Sequence, residues 1–355
     1  MKPLRVGIIG TGFGADVHAP IMQSHPGFDV ISVCSVARGN IGKVQKQTGI
    51  ENIYIDWKEM LEKEQLDLVS IAAIPSLHCE MAVTSFSYGA HVLCEKPMAL
   101  NLDETKKMMR AQEKSSRSGF VNFEWRFLSA RQIVKKILSE EQIGKVLHID
   151  YDISFPGYHA LTTENIGWAG QQKNFGGMLG AMGSHMIDSI LWWMDEEVST
   201  LIAQLNVHIP EFTDEHGITE YRDADDSFFI SGKFKSGTTF KMQLMSAANH
   251  GFGSVLKIYG SKGTVVLNDD QIVQLGFENQ SLENIDIEDI LAPKDMPYTA
   301  SRYYPAFKPF LDKLYEAIVS HRIDPDLPTF SDGHKTQAIL DAVRQSSDKG
   351  IKVRF

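Results

Sequence analysis

From residue 4 to residue 122, short apolar runs rich in β-branched side chains alternate with longer stretches of helical character. The runs 4–10, 30–36, 66–73, 91–95 and 119–122 are predominantly apolar instead of alternating with polar positions, as strands buried on both faces should be,. Between them, 15–24, 41–48, 57–62, 77–88 and 102–116 read as helices. Strand and helix in turn predict a parallel sheet with helices on both faces, a Rossmann-type α/β domain over residues 1–124.

Beyond residue 125 the period changes. A helix at 129–139, a strand at 146–155, a loop rich in glycine and aromatic residues, and a helix around His185 precede a series of runs with period-two character. These runs, 200–209, 226–234, 238–246, 254–259 and 264–268, are separated by turn signals such as Lys235-Ser236-Gly237 and Gly260-Ser261-Lys262-Gly263,. Helices at 304–320 and 331–347 close the chain. Residues 125–355 are thus expected to form an α+β domain on a large, mainly antiparallel sheet that binds substrate and carries oligomer contacts, with the terminal helices able to pack back on the first domain.

Composition narrows the function classes. The 355 residues are 43% hydrophobic, enough to fill two cores,. A formal net charge of -10 argues against nucleic-acid binding, which needs a concentrated positive field,. The three cysteines show no CxxC spacing, the usage of a reducing compartment, and no apolar run approaches the length of a membrane span, so a cytoplasmic protein is expected,. No HExxH string or Cys/His cluster calls for a metal.

Gly10-Thr11-Gly12-Phe13-Gly14-Ala15 sits between the first strand and the first helix. In such a turn the first glycine permits the tight reversal and the second lets backbone amides approach a pyrophosphate. A small residue after them lets the helix pack on the strand, with phosphate charge facing the helix N-terminus. A carboxylate at the end of the second strand would accept the ribose hydroxyls of NAD(H). Ser35 stands there instead, and Arg38 is placed either to meet a 2′-phosphate or to remain a solvated loop cation, which tips the expectation toward NADP(H) over NAD(H),.

Several further strings converge: Ile74-Pro75-Ser76-Leu77-His78, Glu95-Lys96-Pro97, Glu124-Trp125-Arg126-Phe127, and Gly176-Gly177-Met178-Leu179-Gly180-Ala181-Met182-Gly183-Ser184-His185-Met186-Ile187-Asp188. With the glycine turn, and in this order, they resemble the Gfo/Idh/MocA family, which includes glucose-fructose oxidoreductase and inositol dehydrogenases. The resemblance implies that Glu95-Lys96-Pro97 lies at the nicotinamide end of the cleft, often with a cis Lys-Pro peptide, and that His185 is the general base. The chemistry agrees with those roles. A lysine at the carboxyl end of a parallel strand points into the ligand crevice and can stabilise a developing alkoxide. Histidine has an ordinary pKa near working pH, and such a base contributes about 10²- to 10⁴-fold. The alternative for His185 is a satisfied core histidine.

One departure matters. Family members with the full catalytic set carry an aspartate one helical turn before this histidine, and here that position is Ala181. Without that carboxylate the imidazole loses one partner that would fix its tautomer and support its positive charge, and Lys96 loses one possible counter-charge. Asp188 lies one turn after His185, on the same helix face, and is a candidate substrate contact. Arg126, at the domain junction, is read either as a cofactor or substrate ligand or as one half of an interdomain salt bridge. Trp168 serves either as a platform for a sugar ring or as a loop anchor, and His78 either as a cofactor contact or as a packing residue. The leading expectation is a dehydrogenase or reductase acting on CH–OH groups of a sugar, cyclitol or related polyol, assembled as a homodimer or homotetramer. The competing classes are a dinucleotide-binding sensor that has lost turnover, and a lyase or hydrolase that oxidises its substrate transiently.

Overall fold

The computed structural model describes residues 2–35 and 41–355. The chain divides into two compact units, Met1–Phe127 with Asp289–Lys335, and Leu128–Glu288 with Thr336–Phe355. The division falls inside the closing helix, Phe330–Lys349.

In the first unit β1 (Leu4–Ile9), β2 (Phe28–Cys34), β3 (Asn52–Tyr54), β4 (Leu68–Ile71), β5 (His91–Cys94) and β6 (Gly119–Val121) form a parallel sheet in the order β3-β2-β1-β4-β5-β6. The direction of propagation reverses between β1 and β4, the switch point outside whose strand ends ligands bind in open α/β sheets. Helices cover both faces. Val6, Ile8, Val30 and Val33 pack with the first helix, α1 (Ala19–Ser24), and with the long helix Tyr298–Ser320. Ile9, Val69, Ile71, Val92 and Cys94 pack on the other face with α3 (Trp57–Lys63) and α4 (Pro75–Ser87), while α2 (Ile41–Thr48) places Val44 in the first cluster and α5 (Leu102–Ser115) places Met108 in the second.

Three expectations are corrected here. Residues 15–24 are not one uniform helix: Gly14–His18 winds as wide π-type turns before α1 begins, a form that recurs at functional sites,. Helix α4 starts at Pro75, two residues earlier than expected, because proline suits the first helical position, where no amide donor is needed; extended Ile74 caps it,. The long helix starts at Tyr298 and runs through Pro305 and Pro309. Burial of Ala300, Tyr304, Phe307, Phe310 and Leu314 along one face offsets the interrupted backbone bonds,.

The second unit is built on a mixed sheet. Its strands are β7 (Val146–Ser154), β8 (Val198–Asn206), β11 (Ser227–Phe234), β12 (Thr239–Met245), β13 (Gly253–Gly260), β14 (Gly263–Asn268), β15 (Ile272–Phe277), β16 (Glu283–Ile285) and β17 (Val353–Arg354), and β9 (Glu211–Thr213) pairs with β10 (Thr219–Tyr221) in a separate ribbon. The order β16-β15-β14-β13-β7-β12-β11-β8-β17 is antiparallel everywhere except where β7 lies beside β12. β8 ends at Asn206 instead of reaching 209, because Asp226 Oδ2 accepts the amides of His208 and Ile209 at 2.6 and 2.9 Å and takes them out of the ladder. Helices α6 (Ser129–Ser139), α7 (Tyr158–Thr163) and α8 (Ser184–Met194) belong to this unit, α6 burying Val134 and Ile137 and α8 burying Ile187 and Ile190. No helix among the described residues is long and apolar enough to cross a membrane.

Candidate active site

The glycine turn lies at the switch point. Gly10 has φ +119°, and a Cβ on it would run into the Ala72 carbonyl oxygen, so only glycine fits,. A Cβ on Gly14 would stand 2.9 Å from Ile8 Cγ2 and 3.2 Å from Ala72 Cβ, which ties the start of the helix to β1 and β4. Gly12 differs, since a Cβ there would meet nothing within 4 Å. The backbone at Gly12 therefore faces open space, where a pyrophosphate can come close. This is the cradle a dinucleotide requires, and these residues fit one. The Phe13 ring packs edge-on against Tyr303 and lies 5.3 Å from the ring of His18.

At the carboxyl ends of β4, β5 and β6 the chain gathers a buried polar cluster. Ser70 Oγ lies 2.6 Å from His18 Nδ1, and His18 Nε2 lies 2.9 Å from Glu95 Oε1. Asn122 Nδ2 donates to the same oxygen at 2.6 Å. Glu95 is only 7% exposed. Burial alone would raise its pKa, but the hydrogen bonds from His18 and Asn122 and the charges of His18 and Lys96 outweigh it and hold the carboxyl below the ordinary value,. Lys96 follows directly, half-buried, with its backbone amide 3.3 Å from Glu95 Oε2 and a cis bond to Pro97.

Of the other expected residues in this unit, Ser35 is buried at the end of β2 and donates its amide to the Tyr54 carbonyl at 2.8 Å. Arg38 lies outside the described residues. His78 is wholly buried with its two ring nitrogens 3.0 Å from the Pro97 and Ala73 carbonyls. Burial lowers its pKa, and the neutral ring has one proton to donate to one of them,. Arg126 is buried and donates to Asp332 Oδ1 at 3.2 Å, an ion pair within the first unit and not the interdomain bridge expected as one alternative. Burial raises the Asp332 pKa, but the charge of Arg126 and bonds from Thr329 hold it below its ordinary value.

In the second unit the helix bearing His185 also begins with wide turns, Leu179–Gly183, and continues as α8. Asp225 caps its start, with Oδ2 accepting the Leu179 amide at 2.7 Å and its carbonyl accepting the Met178 amide at 2.8 Å. Burial pushes the Asp225 carboxyl up to about 6, against the opposing pull of the Leu179 amide and the Arg344 charge. His185 and Asp188 are both buried on α8. Trp168 is 44% exposed in the short turn Gly167–Gly170. A half-buried ion pair braces that turn: Glu220 accepts the amides of Ile166 and Gly167 at 3.2 and 2.7 Å and pairs with buried Arg222 at 2.7 Å, while Arg222 donates to the carbonyls of Leu161 and Glu164 at 2.5 and 2.7 Å.

The structure thus brings the glycine turn, Glu95 and Lys96 to one edge of the first sheet. Sequence reasoning missed His18, Ser70, Asn122, Asp225 and the Glu220–Arg222 pair. A faint signal existed for two of them: Ser70 and Asn122 are polar residues in or at the end of otherwise apolar buried strands.

Comparison with known proteins agrees with this geometry. Residues 4–123 match the profile described as an oxidoreductase family with an NAD-binding Rossmann fold, and residues 135–355 match the α/β C-terminal domain of the same family, designated Gfo/Idh/MocA. An uncharacterised oxidoreductase of Synechocystis is 32% identical over 76% of this chain and 72% of its own length. The levoglucosan dehydrogenase of Pseudarthrobacter phenanthrenivorans is 26% identical over 98% of this chain and 97% of its own. The myo-inositol 2-dehydrogenase of Thermotoga maritima is 25% identical over 76% and 79%. Among solved structures, a levoglucosan dehydrogenase in complex with NADH and L-sorbose superimposes with a TM-score of 0.86 at 22% identity, covering 100% of this chain and 99% of that one.

Proposed function

The chain belongs to the Gfo/Idh/MocA family of oxidoreductases, and from that premise we propose that it is a dehydrogenase that exchanges hydride between a nicotinamide dinucleotide and a hydroxyl-bearing carbon of a sugar, cyclitol or related polyol. The observation that carries this reading is the turn at the switch point, open at Gly12 and closed at Gly10, with Glu95-Lys96 on the same sheet edge. The bound dinucleotide supplies the hydride acceptor. The Lys96 ammonium hydrogen-bonds the reacting hydroxyl and favours the alkoxide-like charge that builds on its oxygen. His185 takes the hydroxyl proton as the carbonyl forms, and returns it in the reverse direction. The two named dehydrogenases among the relatives, acting on levoglucosan and on myo-inositol, support a polyhydroxylated substrate.

Ser35 at the end of β2, in place of a carboxylate, supports NADP(H) over NAD(H),. Free Cys34, Cys79 and Cys94 support a reducing, cytoplasmic compartment,. The outward face of the second sheet leaves Ile202, Phe229 and Tyr259 exposed, which supports a homo-oligomer that covers it,. One observation favours a second reading: alanine at position 181 leaves the histidine helix without the usual carboxylate, as expected of a sensor that binds dinucleotide without turnover.

Absorbance of the reduced nicotinamide, followed over a panel of sugars, cyclitols and their keto forms with each dinucleotide, separates the two. Turnover is expected, and Lys96→Ala and His185→Ala should each lower kcat by about 10²-fold or more while dinucleotide affinity stays within about threefold, under 1 kcal/mol. Tight dinucleotide binding with no turnover on any member of the panel selects the sensor, and wild-type rates in both variants refute the assignment of roles.

A further inference from the structure

The outward face of the second sheet has a strongly charged corner that the proposed chemistry does not use. A cavity of about 620 Å³ opens there, a size that takes a small molecule,. Lys233, Lys235, Lys352 and Arg354 line it, and no acidic side chain does. In a chain of net charge -10, average composition would not deliver such a set. The strand register delivers it. Arg354 on β17 pairs with Thr200 on β8, and Lys233 on β11 pairs with the same Thr200 from the other side. Residues directly opposed in a sheet point to one face, so both cations stand on the face of Thr200, one strand to either side of it. Leu201, next along β8, turns to the other face and is fully buried. Two strand spacings, roughly 10 Å, separate the backbones of Arg354 and Lys233, a gap that two long side chains can close around one ligand.

The charges of this corner are only partly balanced. Lys235 pairs with Glu197, and Glu196 accepts the Ser236 amide in the adjoining turn. Lys233, Lys352 and Arg354 enter no ion pair among the described residues. Three like charges gathered on neighbouring strands repel one another, and a bound anion relieves that repulsion. Their number selects the ligand. One phosphate monoester carries about -1.5 to -2 at pH 7, less than the three cations, so a balancing anion has two or more phosphoryl groups. The arginine fork matches phosphate oxygens bidentately, and the lysines add point charges. Glu196 and Glu197 beside the turn repel an extended phosphate backbone, which favours a small ligand over a nucleic acid,.

We propose that this corner is a binding site for a small, soluble phosphate ester or polyphosphate bearing at least two phosphoryl groups. The ligand ties β17 to β11 across β8. Such a tie matters because β17 is two residues long and pairs with β8 alone. Ile202 and Phe229 lie further along β8 and β11, so the site is separate from the apolar part of this face. The inference stands whether or not the chain is a dehydrogenase.

Titration calorimetry of the full chain with sodium tripolyphosphate, in the absence of divalent metal, tests this. Saturable binding with Kd below about 1 mM is expected. Lys233→Gln and Arg354→Gln together should weaken it roughly 10-fold, as for the loss of two exposed charge contacts. Gly12→Ala, which alters the dinucleotide turn, should leave it unchanged. Amide exchange at Val353 and Phe355 should slow when the probe is added to the wild type and not when it is added to the double variant. No saturable binding, or equal affinity in the double variant, overturns the inference. So does binding that Gly12→Ala abolishes and the double variant keeps, since the probe then sits in the dinucleotide turn. Sedimentation with vesicles of phosphatidylserine and phosphatidylcholine should leave the protein in solution; capture by vesicles without tripolyphosphate binding assigns the corner to a membrane headgroup and overturns the proposal. Both substituted side chains are exposed, so the melting temperature without probe should match the wild type,. Should it not, exchange in the wild type decides alone: protection gained at Val353 and Phe355 supports the site, and unchanged exchange overturns it.

Discussion

Gly12 and Gly10 are two residues apart in the same turn, and the structure assigns them opposite duties that a pair of alanine substitutions should separate. At Gly12 a methyl meets nothing within 4 Å and the backbone is outside the left-handed region, so Gly12→Ala should leave the fold intact. Reduced freedom of the unfolded chain can even add about 0.4–1 kcal/mol. The same methyl projects into the space where the pyrophosphate would approach. Losing one hydrogen bond to a charged group costs about 1.5–3 kcal/mol, a fall in dinucleotide affinity of roughly 10- to 100-fold. Gly10→Ala has the reverse signature. At φ +119°, with the Ala72 carbonyl oxygen in the way, the strain is about 1–3 kcal/mol before the clash is counted. At about 2–4 °C per kcal/mol for a domain of this size, the melting temperature should drop by roughly 5–10 °C. Thermal unfolding and isothermal titration with NAD(H) and NADP(H) give both numbers for each variant. The reasoning fails if Gly12→Ala binds dinucleotide as the wild type does, or if it melts as early as Gly10→Ala.

Two further predictions follow from the second unit. Asp225 titrates near 6 when folded and near its ordinary 3.8 when unfolded, so the folded state holds the proton more tightly. Its contribution is therefore present below about pH 4 and lost as pH rises through 6, worth roughly 3 kcal/mol for a shift of about two units. Asp225→Asn keeps an acceptor for the Leu179 amide without the charge, and should gain about 2–3 kcal/mol on the wild type between pH 4.5 and 7.5 in denaturant titrations; parallel stability curves would contradict this. Replacing Arg222 with lysine removes the fork that reaches Leu161, Glu164 and Glu220 together,. Hydrogen exchange in residues 158–170 should then rise by about 10-fold or more, the equivalent of at least one lost charge-assisted bond, and unchanged protection there would show that the turn carrying Trp168 is held by something else.

The parts of the fold that were legible in the sequence are those whose signal is local. β1, β4 and β5 are buried on both faces, and a predominantly apolar run of that length between glycine and helix signals reads as such a strand,. β3 was not legible: Asn52–Tyr54 is a three-residue edge strand, partly exposed, and it exists because β2 offers it a ladder. β15 escaped for a related reason, since its pairing with β14 depends on a turn at Asp269 and Asp270, both at positive φ, where glycine would have been the readable signal,.

The candidate site divides along the same line. Gly10, Gly12 and Gly14 are spaced by the geometry of one turn, so their pattern is written in consecutive residues, and Lys96 sits at the end of a strand that announces itself. The cluster on Glu95 has no such spacing. His18, Ser70 and Asn122 become partners only once β4 lies beside β1, β5 beside β4 and β6 beside β5. No window of sequence contains that information, and a histidine inside a helical stretch reads as ordinary packing. What can be read in advance is narrower: a serine or asparagine in or at the end of a strand otherwise wholly apolar must find a hydrogen-bond partner when buried. In a parallel sheet such residues share one edge with whatever the crossovers deliver there. Ser70 and Asn122 obey that rule, and the carboxylate they help to orient stands beside the lysine on which the proposed chemistry depends.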